Sequence, residues 1–83
     1  MARISRAQRG RKLAAVRSRL DLTQADVADG SGLTVQTISR METGALPITD
    51  SALVKLARGL YSMSLDALAN ELDISTASLA RSA

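Results

Sequence analysis

Within the stretch GSGLTVQTISRMETG, residues 30–44, five side chains would make up one free face, four of them polar. Val35, Gln36, Ser39, Arg40 and Thr43 share one side of the segment if it is helical, because residues three, four and seven apart line one helix face. Gln36 pairs a donor with an acceptor on one amide, Ser39 and Thr43 supply hydroxyls, and Arg40 supplies a fork of donors. None of these groups is a general base or an activated nucleophile. The set suits the recognition of hydrogen-bonding edges and of anions better than the making or breaking of bonds.

The composition narrows this further. The chain has 83 residues, enough for one small domain with a modest core. It has no cysteine and no histidine, which removes disulfides, thiolate metal sites and the commonest general base and metal ligand. The eight acidic residues form no recognisable catalytic frame. The expectation is a non-enzyme with no catalytic residue, no cofactor and no metal.

The charge is lopsided. Arg3, Arg6, Arg9, Arg11, Lys12, Arg17 and Arg19 all precede the first acid, Asp21, so the first 20 residues carry +7 and the remaining 63 carry −4. A basic segment of this kind fits a polyanion, and the plain alternative is a solvated helix face. Tyr61 is the one aromatic residue, too few for readers that stack single-stranded bases. The N-terminal segment lacks the apolar core of a secretory signal. Rich in arginine and free of acids, it would pass for a mitochondrial presequence, but it is needed as a domain helix. No apolar run approaches the ~20 residues of a membrane span, and the thin apolar face of residues 3–19 argues against a membrane-surface helix. The expected location is the cytoplasm, with no membrane partner.

The elements that must position these groups are helices. Leucine and alanine dominate and β-branched runs are missing, so the predicted fold is all-α with five helices. The first spans about residues 6–20, opened by Ser5 and Gln8 in capping-box spacing, with Leu13, Val16 and Leu20 inward. Gly10 weakens its first turns by about 1 kcal/mol relative to alanine, so the part before it is expected to fray into an arm. The second helix follows the cap Thr23, complements its dipole with Asp26, and ends at Gly30-Ser31-Gly32. The third follows the cap Thr34, buries Ile38 and Met41, and ends at Gly44. The fourth follows Pro47 and the cap Thr49, with Leu53, Leu56, Ala57 and Leu60 inward. The fifth follows Ser64, with Leu65, Leu68 and Leu72 inward.

About three residues join helices two and three, which forces them to cross steeply where the small Ala28 sits. That is a helix-turn-helix layout, whose second helix enters the major groove of DNA. LTQADVADGSGLTVQTISRMETG, residues 22–44, resembles the phage repressor/Cro-like family of helix-turn-helix regulators (the Xre type). The likeness continues weakly through SALVKLARGL and SLDAL and covers about residues 9–70. Gln24, Ala28, Gly32, Ile38, Glu42 and Gly44 all stand at the family's positions.

Gln36 can bond adenine N6 and N7 together, and Arg40 can fork onto guanine O6 and N7 or reach a phosphate. Val35 offers methyls to a thymine methyl. The resemblance implies base contacts at these three positions. The plainer readings are solvation for Gln36 and an ion pair with an acid such as Asp29 for Arg40. The resemblance also implies phosphate contacts from Gln24, Thr34, Thr37, Ser39 and Thr43, with capping or solvation as the plainer reading of the threonines, and a structural ion pair between Arg17 and Glu42. Many relatives carry cations just after the glycine that ends helix three, where this chain has Ala45 and Leu46. Arg3, Arg6 and Arg9, with Arg11 or Lys12, are expected to replace them on phosphate.

The expected organisation is a basic arm or helix extension over 1–8, the DNA-binding domain over 9–72, and a tail over 73–83 that is a candidate for a dimer interface together with Tyr61, Met63 and Leu72. Leu46, Pro47 and Ile48 are a second apolar patch, with core packing as the alternative. The function expected is a sequence-specific regulator of transcription, most simply a homodimeric repressor on a palindromic double-stranded DNA operator, bacterial or phage-encoded. The competing expectation is an antitoxin-like module that binds a protein partner and regulates its own gene. Contact with RNA polymerase through Asp26 and Asp29 is a weaker option, since acids in a first turn serve the helix anyway.

Overall fold

The structure, a computed structural model, describes residues 5–59, 63–72 and 74. It contains α1 (Arg6–Arg19), α2 (Gln24–Ser31), α3 (Val35–Thr43), α4 (Asp50–Gly59) and α5 (Leu65–Glu71), and no strand among the described residues. The helices begin where the sequence places their caps. Ser5 and Gln8 bond each other's backbone reciprocally at the start of α1. Thr23 and Asp26 do the same for α2. The hydroxyls of Thr34, Thr49 and Ser64 accept from backbone N–H groups three residues on. Each satisfies a donor that the first helical turn leaves without a partner.

The core is one cluster. Leu13 and Val16 of α1, Val27 of α2, Ile38 and Met41 of α3, Leu53, Leu56 and Ala57 of α4, and Leu68, Ala69 and Leu72 at α5 are buried together. Leu20, Leu22, Ala28, Leu33, Leu46, Ile48, Met63 and Ile74 close its edge. Leu46 and Ile48 are thus half-buried against the core while Pro47 is exposed. Leu72 is fully buried within its own chain, so it is not available to a dimer interface. Leu60, Tyr61 and most of the tail lie outside the described residues.

Two helix contacts depend on absent side chains. A Cβ at Gly10 would lie 2.5 Å from the carbonyl oxygen of Glu42 and closer still to that of Met41. One at Gly59 would lie 2.7 Å from the carbonyl oxygen of Val27. These glycines let α1 approach the end of α3 and let α4 approach α2, backbone against backbone. Gly10 therefore sits in an unbroken α1 that starts at Arg6, where sequence alone marks only a weak point. The chain reverses after α1 through Asp21, which takes a left-handed conformation with φ 63°. Aspartate tolerates that region better than most residues.

Candidate nucleic-acid interface

The turn between α2 and α3 is Gly32, Leu33 and Thr34. Gly32 has φ 80°, and its N–H bonds the Ala28 carbonyl, which ends α2 in the left-handed form that glycine adopts at little cost. The buried Ser31 stiffens the turn, its hydroxyl accepting from the Leu33 N–H at 3.2 Å. The sequence barely signals this role of Ser31. Its only local signal is a hydroxyl two residues before an apolar residue at a helix end.

α3 has two unlike faces. Ile38, Met41 and Glu42 are buried. Val35, Gln36, Arg40 and Thr43 are exposed and Ser39 is half-buried. Val35 is 45% exposed, the one large apolar side chain so open among the described residues. Gln36 makes no side-chain hydrogen bond there, and Arg40 has no acidic partner there, Asp29 included. The amide and the guanidinium thus stand on one open face with their hydrogen-bonding capacity unspent.

The hydroxyls differ in what they have left to give. Thr34 and Thr37 share a hydrogen bond of 2.9 Å between their side chains. Two hydroxyls joined by one hydrogen bond keep one hydrogen for an outside acceptor. Thr43 donates its hydroxyl to the Arg40 carbonyl at 3.1 Å, so its hydrogen is committed within α3.

Glu42 is the hub behind this face. Its carboxylate accepts from Arg17 Nε at 2.7 Å, Arg17 Nη2 at 3.1 Å and Gln24 Nε2 at 2.9 Å. Arg17 also donates Nη1 to the Leu22 carbonyl at 2.9 Å. One carboxylate therefore ties α1, the start of α2 and the end of α3. The hydrogen bond to Glu42 raises the Arg17 pKa above its ordinary value, against the opposing effect of burial. Gln24 has two amide hydrogens and spends one here, leaving one to point elsewhere. The Gln24–Glu42 bond has no sequence signal, since the two are 18 residues apart. At the cap of α2, hydrogen bonds from the Thr23 N–H and hydroxyl lower the Asp26 pKa.

The basic residues separate into groups. Arg9 donates Nε to the Leu72 carbonyl at 3.1 Å and so holds the end of α5, a role its sequence does not announce. Arg19 pairs with Glu71 at 3.0 Å. Arg6, Arg11 and Lys12 are exposed on α1, and Arg3 lies outside the described residues. Beside α3, an open groove of about 330 Å³ is lined by Leu33, Thr37, Met41, Leu46, Pro47 and Lys55, among others.

Two short helices locked across a three-residue turn, the second with a packed face and a polar open face, define a DNA-binding bihelical unit. Comparison with protein families agrees: the model of the helix-turn-helix domain matches residues 8–72, and the chain belongs to that family. This is consistent with the phage repressor/Cro-like resemblance of residues 22–44. No curated protein gives a significant match to the chain. No solved structure does either.

Proposed function

We propose that the chain is a sequence-specific, dimeric transcriptional repressor that reads a palindromic operator through the major groove of double-stranded DNA. The observation that carries this reading is the open face of α3, where Gln36 and Arg40 stand exposed, without a side-chain partner among the described residues, on a helix whose other face is buried. Val35, Gln36 and Arg40 contact bases in this reading. The free hydrogens of Gln24 and of the Thr34–Thr37 pair reach phosphates. Ser39 and Thr43 flank them, and Arg3 and Arg6 add charge from the N-terminal side. Arg9 is left out, because it holds α5, and so are Arg11 and Lys12, which lie on another stripe of α1 than the one that meets α3. Two copies about 34 Å apart, one turn of DNA, double the short readout of a single helix. No catalytic step is assigned. Among the described residues no helix is long and apolar enough to cross a membrane, and the reading places the protein in the cytoplasm on DNA.

The groove beside α3 supports a second reading, a module that binds a protein partner such as a toxin and uses DNA to regulate its own gene. One experiment separates the two. Random duplexes are selected with the wild type and with Gln36→Ala at physiological salt and excess nonspecific DNA. A palindrome enriched by the wild type and relaxed by the variant supports the repressor. Salt-sensitive binding without enrichment moves the partner-binding module to the front.

A further inference from the structure

Seven cations precede Asp21, and contacts among the described residues hold three of them. Arg17 is held by Glu42, Arg19 by Glu71, and Arg9 by the Leu72 carbonyl. Arg11 and Lys12 are exposed and have no acidic partner among the described residues. With Gln8 and Ala15 they line a shallow depression of about 310 Å³ on α1. These four residues follow helical spacing and form one stripe.

A different stripe of α1 meets α3. Ala7 lies against Gly44, Gly10 against the carbonyls of Met41 and Glu42, and Arg17 against the Glu42 carboxylate. At 100° per residue the two stripes are about 135° apart round the helix axis. α1 meets α3 at Met41 and Glu42, two of its buried residues, while Val35, Gln36 and Arg40 are exposed. A duplex seated on the open face of α3 would therefore leave the Arg11–Lys12 stripe, turned about 135° from the α3 contact, facing another way.

We infer that this outer stripe of α1 is a second, sequence-independent DNA surface, which takes the phosphates of a duplex segment other than the one read by α3. The inference rests on the proposed reading of α3. The chemistry of the stripe favours a duplex over other anions. Its only apolar group is Ala15, which gives a protein partner no anchor to bury and a lipid surface nothing to insert. Duplex DNA presents about one phosphate per 1.7 Å of axis, so two neighbouring cations meet phosphates in any register. A molecule that holds two segments passes from one to the other without being released into solvent.

The test uses the full chain on a labelled duplex carrying the selected site. The dissociation rate is followed as unlabelled random duplex is added. For the wild type the rate rises several-fold with competitor. For the Arg11→Ala/Lys12→Ala double variant it stays flat, while the melting temperature is unchanged and the affinity without competitor stays within about twofold, as for exposed residues away from the reading face. A variant that responds to competitor as the wild type does, or a wild type that does not respond, overturns the inference. A large loss of single-duplex affinity in the variant overturns it too, by placing the stripe on the duplex that α3 reads. Poly-glutamate bound through Arg11 and Lys12, with competitor DNA inert, replaces the duplex by an acidic protein. Failure to enrich any site in the selection defeats the reading of α3 itself, a result distinct from all of these.

Discussion

A methyl group at position 10 would run into two backbone carbonyls of α3, and carbonyls held in a helix cannot swing aside as a side chain would. Helix propensity alone says that Gly10→Ala gains about 1 kcal/mol. The packing says the reverse, because overfilling a tight contact costs about 1–3 kcal/mol. Gly10→Ala is expected to lower the urea midpoint of unfolding, and a raised midpoint would show that α1 and α3 can part freely. Glu42 gives a second prediction. With side-chain exposures of 18% for Arg17 and 7% for Glu42, the pair is mostly withdrawn from water. Glu42→Ala strands the arginine and is expected to cost about 3–5 kcal/mol. Gln24→Ala removes one shared hydrogen bond at about 1 kcal/mol, and in the Glu42→Ala background it should cost less, since its partner is already gone. Additive losses in chemical denaturation would mean that the two side chains do not work as a unit.

Helix starts were the most legible elements. A cap is a local event: Ser5 with Gln8, Thr23 with Asp26, and Thr34 each bond within three residues, and the sequence displays both partners. Where one helix touches another was far less legible. Gly10, Gly59, Arg9 with Leu72, and Gln24 with Glu42 all join residues distant along the chain, and nothing beside them in sequence announces the partner. At this scale the cap of α2 makes a pH prediction. Hydrogen bonds from Thr23 hold the Asp26 carboxyl below its ordinary pKa of 3.8. The charged form is the one favoured by folding, so its contribution is whole above that ordinary value and fades as pH falls through the lowered one. The melting-temperature gap between wild type and Asp26→Asn should be present at pH 7 and shrink in strong acid. A gap that does not change with pH would show that the charge of Asp26 plays no part in the cap.

Across the whole molecule, the lopsided charge of the sequence is sorted by the fold into cations that hold helices and cations left in solvent. That sorting has an observable consequence for the proposed DNA binding. Arg6→Ala should lower the slope of log affinity against log salt by about 0.9 if Arg6 meets one phosphate. Arg9→Ala should leave that slope nearly unchanged and instead lower the melting temperature, because its Nε is spent on the Leu72 carbonyl. If both variants flatten the slope equally, the division between the two arginines is wrong. The all-α class, the five helices and the bihelical unit were legible because apolar spacing and caps repeat along the chain. The division of labour among the basic residues was not, since an arginine looks the same in sequence whether it faces a carbonyl or the solvent.

The attachment of α3 to the body runs through Ile38, Met41 and Glu42, while Val35, Gln36, Arg40 and Thr43 stand exposed outside that attachment. The part of the chain that would choose a DNA address is thus almost free of the part that makes the chain fold. A lineage, or an engineer, can rewrite the four outer positions and keep the scaffold. Duplicated copies of such a gene can then drift to new targets without first losing their structure.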